Sequence, residues 1–271
     1  MANPSATTRC GIVLHPAGHT RSPAMHRAAY AARGMNAQYE AFDVPPDMLG
    51  ASIAHARETG MRQLAVSIPH KQTVMEYLDE IDATALAIGA VNTVTRCDGR
   101  LVGANTDWIG AVRALERECE LAGRRAVVLG AGGTARAVAF GLLKSGASVC
   151  VLNRTEAKAV ALADDLGAHG AGALSTVAER EFDVLVNTTS VGLQSDTSPI
   201  PASAHRRGCV VLDAVYDPEK TRLLRDAEAA GARTVGGKWM LVLQAAEQFK
   251  IWTNDDAPVE AMADAFDRAG R

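Results

Sequence analysis

Apolar positions along this chain alternate between short runs of β character and longer stretches at helical spacing. Residues 10–14, 37–42 and 64–67 read as strands, with helices over 22–33, near 47–58 and from about 71 to 77. Ser22 followed by Pro23 fits an N-cap and a first-turn proline. Two further strands, 91–95 and 101–104, flank Asp98-Gly99, a two-residue hairpin turn. A long helix over 107–121 is expected to link two domains. Strands at 126–129, 148–152, 184–186, 209–212 and 233–235 follow, with helices at 221–230, 240–252 and 259–268. This alternation predicts an α/β protein of two domains with mostly parallel sheets covered by helices. Residues 106–238 are expected to form a Rossmann-type nucleotide-binding domain, and residues 1–105 a substrate-binding and catalytic domain completed by the C-terminal helices, about 239–271.

The nucleotide assignment rests on one continuous stretch. An apolar strand breaks into a glycine turn, Gly130-Ala131-Gly132-Gly133-Thr134-Ala135, and a helix opens with Ala135, Val138 and Leu142 on one face. Glycine lets the backbone turn tightly and approach a pyrophosphate, whose charge the helix N-terminus stabilises. The turn is a variant of G-x-G-x-x-G, and the strand, turn, helix and second strand in register make it far more specific than the glycines alone. Its second strand ends in Asn153-Arg154-Thr155, with Lys158 one turn on. An NAD-binding unit usually carries Asp or Glu there, which would repel a 2′-phosphate. A guanidinium grips that phosphate with paired charge-assisted bonds, so the expected cofactor is NADP.

Composition narrows the partners. The chain has 271 residues, 48% hydrophobic and 4% aromatic, and a net charge of −3 with both signs mixed. No basic stripe points to nucleic acid, and no apolar stretch is long enough to span a membrane. The N-terminus lacks an apolar signal core, and five scattered cysteines without C-x-x-C spacing argue against a disulfide framework or a zinc site. A cytoplasmic enzyme, monomer or homodimer, with a small-molecule substrate fits these features. His15 and His19 form H-x-x-x-H, yet Pro16 and Gly18 oppose helical ligation, and no metal is expected.

Polar clusters fall at the strand ends, where such domains place their sites. They are His19-Thr20-Arg21-Ser22-Pro23, Ser67-Ile68-Pro69-His70-Lys71, Asn92-Thr93, Asn105-Thr106-Asp107 and, on a late helix, Gln244. Taken in order, H-T-R-S-P, S-I-P-H-K, G-A-V-N-T, N-T-D, G-A-G-G-T-A-R, N-R-T, N-T-T-S-V-G, D-A-V-Y and M-L-V-L-Q-A-A resemble the motifs of the shikimate dehydrogenase family over almost the whole chain. The resemblance implies reversible NADP-dependent reduction of 3-dehydroshikimate to shikimate. It implies Lys71 and Asp107 as the catalytic pair. Thr20, Ser22, Ser67, Asn92, Tyr216 and Gln244 match substrate-binding positions. Beside the glycine turn and Asn153, Arg154, Thr155 and Lys158, it adds Thr188, Ala214 and Gly237 to the cofactor site. Those types suit the chemistry: an ammonium can protonate an alkoxide, and hydroxyls and amides suit a polyhydroxylated acid.

Several positions depart from the family pattern. Thr20 and Ser67 exchange the usual serine and threonine, Leu14 stands where glycine is usual, and Trp108 and Trp239 bring rings where small residues are common. These changes keep quinate and other cyclic hydroxy acids in play as substrates. A non-enzymatic NADP-binding sensor is the third reading, opposed by the intact Lys71 and Asp107.

Overall fold

The computed structural model describes residues 7–18 and 20–270; His19 lies outside the described residues. In chain order the elements are β1 (Thr8–Leu14), α1 (Ser22–Ala32), β2 (Ala37–Asp43), α2 (Leu49–Glu58), β3 (Gln63–Val66), β4 (Glu80–Ile81), α3 (Ala83–Ile88), β5 (Thr93–Cys97) and β6 (Arg100–Ala104). There follow α4 (Asp107–Glu116), β7 (Arg125–Leu129), α5 (Gly133–Lys144), β8 (Ser148–Asn153), α6 (Glu156–Leu166), β9 (Gly170–Ala173), β10 (Val184–Asn187) and β11 (Val210–Asp213). The last are α7 (Arg222–Ala229), β12 (Arg233–Val235), α8 (Gly237–Thr253) and α9 (Val259–Ala269). The chain divides into two compact units, Met1–Thr106 with Gln244–Arg271, and Asp107–Leu243.

The first unit holds a six-stranded sheet in the order β2-β1-β3-β5-β6-β4. The sheet is mixed, parallel in β2-β1-β3 and β6-β4, while β5 runs antiparallel to both β3 and β6. The expected hairpin at Asp98 and Gly99, whose positive φ values of 49° and 83° form the primed turn, accounts for the β5–β6 pairing. The parallel part, β2-β1-β3, places the carboxyl ends of β1 and β3 side by side, Val13 opposite Val66. Under the sheet, His26 on α1 is fully buried and stacks on Tyr39 of β2 at 4.2 Å between ring centroids. Burial pushes its imidazole down to about 4, with the neighbouring Gln248 amide opposing the fall.

The second unit is a wholly parallel sheet in the order β12-β11-β10-β7-β8-β9, the doubly wound Rossmann arrangement. Alternate residues of β7 serve opposite faces. Ala126 and Val128 enter one buried cluster, Val127 and Leu129 the other. A strand covered on both faces explains the unbroken apolar run in the sequence. Gly130 leaves β7 at the switch point between β8 and β10, where the strand order reverses.

Four local expectations need correction. Ser22 is the first helical residue rather than the cap; Arg21 holds the cap position, and Thr20 Oγ1 accepts from the Ser22 N–H at 3.3 Å. No α-helix forms over 71–77. The Lys71 carbonyl is taken by the Val91 N–H at 2.7 Å, so a helical ladder cannot start there, and a 3₁₀ turn begins only at Thr73. The helix expected over 107–121 stops at Glu116, where the Glu118 and Cys119 N–H groups both turn onto the Leu115 carbonyl. Finally, α8 starts at Gly237, three residues ahead of its apolar run. Among the described residues no helix is long and apolar enough to cross a membrane, and all five cysteines are free.

Candidate active site

In the first unit, backbone hydrogen bonds draw the catalytic-type side chains together. Ser67 follows β3 and donates its N–H to Val13, while Val66 donates to the Asn92 carbonyl at 2.8 Å. Lys71, half-buried, is fixed beside Asn92 by its carbonyl bond to Val91. The preceding His70 is buried and donates from Nε2 to the Val44 carbonyl at 2.7 Å, anchoring the loop. Asn92 is 1% exposed and donates from Nδ2 to Thr106 Oγ1 and Gln244 Oε1, at 3.0 and 3.2 Å. Thr20 and buried Ser22 follow β1 on the same sheet edge as Ser67. The unit therefore gathers hydroxyls, two carboxamides and an ammonium-bearing loop at one edge of a sheet. Asp107, the first residue of α4, is buried and belongs to the other unit, as does half-buried Tyr216 after β11.

The second unit carries the dinucleotide features. Gly130 has φ +114°, and a Cβ there would meet Thr188 Oγ1 at 2.6 Å, so only glycine fits the turn. Thr188 seals it by donating both N–H and Oγ1 to the Leu129 carbonyl. Nothing lies within 4 Å of a Cβ built on Gly132, which leaves open space ahead of α5. The first helical bond runs from Arg136 to the Gly132 carbonyl. The amides of Gly133, Thr134 and Ala135 thus precede the ladder, as a pyrophosphate cradle requires. At the end of β8, Asn153 Nδ2 donates to the Thr155 carbonyl, and Thr155 caps α6 without using its side chain. Arg154 and Lys158 are exposed beside that helix start, and Glu156 brings one opposing charge. The residues present fit a dinucleotide with a phosphorylated ribose.

Ala214 and Gly237 answer to packing as well. A Cβ on Gly237 would stand 2.6 Å from the carbonyls of both Ala214 and Val215, so glycine lets the start of α8 close on the chain leaving β11. The two tryptophans are likewise accounted for within this unit. Trp108 meets Phe140 edge-on at 5.8 Å and backs onto Gly141 of α5, while Arg117 lies 4.0 Å over the Trp239 ring. Helix packing and cation–π contact therefore employ both rings.

Two buried residues have a role that the sequence reading missed. Asn187 Nδ2 donates to Asp213 Oδ1 at 2.9 Å, and Asp213 also accepts from Val215 N–H and Thr221 Oγ1. Asn187 in turn accepts from Thr189, so the pair ties the loops after β10 and β11, those of Thr188 and of Ala214 and Tyr216. Their places in the N-T-T-S-V-G and D-A-V-Y motifs were the available signal. Burial pushes the Asp213 carboxyl up to about 6, against its hydrogen bonds. A carboxyl raised from 3.8 favours the folded state when protonated, so its contribution falls by about 3 kcal/mol as pH rises from 4 to 6. Denaturant unfolding at successive pH values should show Asp213→Asn gaining on the native chain across that window. A difference that stays constant with pH would refute the assignment.

A cavity of about 490 Å³ opens at the other edge of this sheet, beside Arg125, Asp183, Val210 and Arg233. Arg125 is engaged there by Asp183 and Glu181, at the amino ends of strands whose carboxyl ends carry the glycine turn. Among the described residues no group of His, Cys, Asp or Glu is placed to hold a metal; the H-x-x-x-H pair includes His19 and so lies partly outside them.

A doubly wound sheet with this turn at its switch point, joined to a second α/β unit rich in hydroxyl and amide groups, defines a dinucleotide-dependent oxidoreductase. Residues 12–94 match the model of the shikimate dehydrogenase substrate binding domain, and 113–196 that of shikimate / quinate 5-dehydrogenase. Residues 237–265 match the shikimate 5′-dehydrogenase C-terminal domain. The shikimate dehydrogenase (NADP(+)) of Haloarcula marismortui is 50% identical over 257 residues, covering 93% of this chain and 96% of that protein. Among solved structures, shikimate 5-dehydrogenase from Thermus thermophilus in complex with NADP(H) and shikimate has a TM-score of 0.91 at 38% identity. That match covers 97% of this chain and 100% of the other. Quinate dehydrogenase from Corynebacterium glutamicum in complex with NAD has a TM-score of 0.87 at 29% identity, covering 97% and 99%. The chain belongs to the shikimate dehydrogenase family.

Proposed function

We propose that this protein catalyses the reversible NADP-dependent reduction of 3-dehydroshikimate to shikimate. The observation that carries the reading is the pairing of a cationic strand end, Arg154 with Lys158, with the buried Asn92–Thr106–Gln244 network beside Lys71. The first suits a 2′-phosphate, and the second a polyhydroxylated acid. Bound NADPH would supply hydride to the ring carbonyl, or NADP accept it in oxidation. Lys71 Nζ protonates the alkoxide oxygen that results and takes the proton back in the reverse direction. Asp107 is its carboxylate partner and orients the ammonium. Thr20, Ser22, Ser67, Asn92, Tyr216 and Gln244 hold the substrate's carboxylate and hydroxyls. The backbone of Gly130 to Ala135 holds the pyrophosphate, with Asn153, Arg154, Thr155 and Lys158 at the ribose phosphate and Thr188, Ala214 and Gly237 along the remainder of the cofactor.

Quinate is the second reading, favoured by Thr20 and Ser67, which add and remove a methyl group at proposed substrate positions. Initial rates on shikimate and quinate, each with NADP and NAD, separate the two. The expected result is fastest turnover of shikimate with NADP. Quinate oxidised faster with NAD would replace the first reading by the second.

A further inference from the structure

Helix α8 carries Gln248 one turn beyond Gln244, so both amides share a helix face. Gln248 is 2% exposed and donates from Nε2 to the Asn92 carbonyl and to Thr93 Oγ1, each at 3.0 Å. A hydroxyl that accepts one bond still has its single hydrogen to give, and Thr93 gives it to Asn92 Oδ1 at 2.8 Å. The Thr106 N–H reaches the same oxygen at 2.8 Å. A backbone N–H can only donate, so Oδ1 must face it, and Nδ2 is left for Thr106 Oγ1 and Gln244 Oε1. One amide, set behind the site, thus holds both the main chain and the side-chain polarity of Asn92.

We propose that Gln248 is a positioning residue for the substrate site, orienting Asn92 through its carbonyl and through the Thr93 hydroxyl. The inference rests on the assignment of Asn92 and Gln244 to substrate binding above. Gln248 carries no motif signal of its own and touches the site only through Asn92 and Thr93. Its action is on recognition: with the relay intact, Asn92 keeps both Nδ2 hydrogens on Thr106 Oγ1 and Gln244 Oε1 and so fixes the Gln244 amide assigned to the substrate. With the relay cut, the Thr93 hydrogen is no longer directed and the Asn92 main chain loses its anchor. Substrate affinity then suffers while the cofactor half of the reaction is untouched.

The test compares Gln248→Met, which keeps length and volume but has no donor, with Thr93→Val, which removes only the hydroxyl, and with the double variant. Each single change is expected to raise KM for shikimate about tenfold, with KM for NADP unchanged. The double variant should resemble the singles, since all three interrupt one relay. A lowered Tm with an unmoved shikimate KM would reduce Gln248 to a packing residue, and fully multiplicative single effects would refute the shared relay. If Gln248→Met fails to fold, an unaltered KM in Thr93→Val overturns the proposal by itself. A native chain that turns over NADP with another acid but not shikimate would instead overturn the proposed function.

Discussion

Replacing Lys71 by alanine is expected to lower kcat by ~10²-fold or more, while NADPH binds nearly as before. The side chain stands half-buried on a loop pinned at three places: the Lys71 carbonyl on Val91, His70 Nε2 on Val44, and the Ser67 N–H on Val13. None of those bonds uses the ammonium, so truncation leaves these three anchors in place. The loss should appear in both directions of the reaction. Lys71→Arg should not restore it, because a guanidinium keeps its proton at any working pH and cannot act as the base in oxidation. Steady-state rates by NADPH absorbance, beside cofactor binding by fluorescence titration, decide the matter. Turnover near the native rate in the alanine variant would remove Lys71 from the chemistry.

Reversing the charge at Arg154 should produce the second large effect, now on the cofactor. Arg154→Asp is expected to raise KM for NADP by ~10²-fold, from the loss of two charge-assisted bonds and the repulsion that replaces them. KM for NAD, which lacks the 2′-phosphate, should change little. Arg154 is exposed at the strand end, so the native preference for NADP should shrink as ionic strength rises. Measuring both cofactors at two salt concentrations checks the size and the origin of the effect together. An unchanged ratio of the two KM values would transfer the selectivity to Lys158 or to the α6 start.

Much of the frame was legible because its signals are local. Val127 to Leu129, the glycines after them and the helix face of Ala135, Val138 and Leu142 each obey a short-range rule, and the hairpin at Asp98-Gly99 follows from two positive φ values. What escaped was settled at long range. β9 is Gly-Ala-Gly-Ala, with no β-branched residue, and becomes a strand only through pairing with β8. β4 is two residues long, held by β6. Lys71 looked helical because its followers are helix-compatible; the competing bond from Val91 arrives from twenty positions further on. In the site, residue types and order pointed to the polar cluster, whereas the Asn187–Asp213 pair and the orientation of Asn92 depend on partners that only folding assembles.

His26, stacked on Tyr39 beneath the first sheet, has a consequence for how the protein meets acid. Its pKa falls to about 4 from 6.5, so the unfolded chain takes the proton first and stability drains away as pH falls through that interval. Asp213 works in the opposite sense over nearly the same interval. Near pH 5, folding expels close to one proton from His26 and takes up close to one at Asp213. The proton exchange of whole-chain folding near pH 5 would thus record almost nothing from either group. Acid loosens the unit around His26 and tightens the one built around the glycine turn, a divergence hidden in the sum.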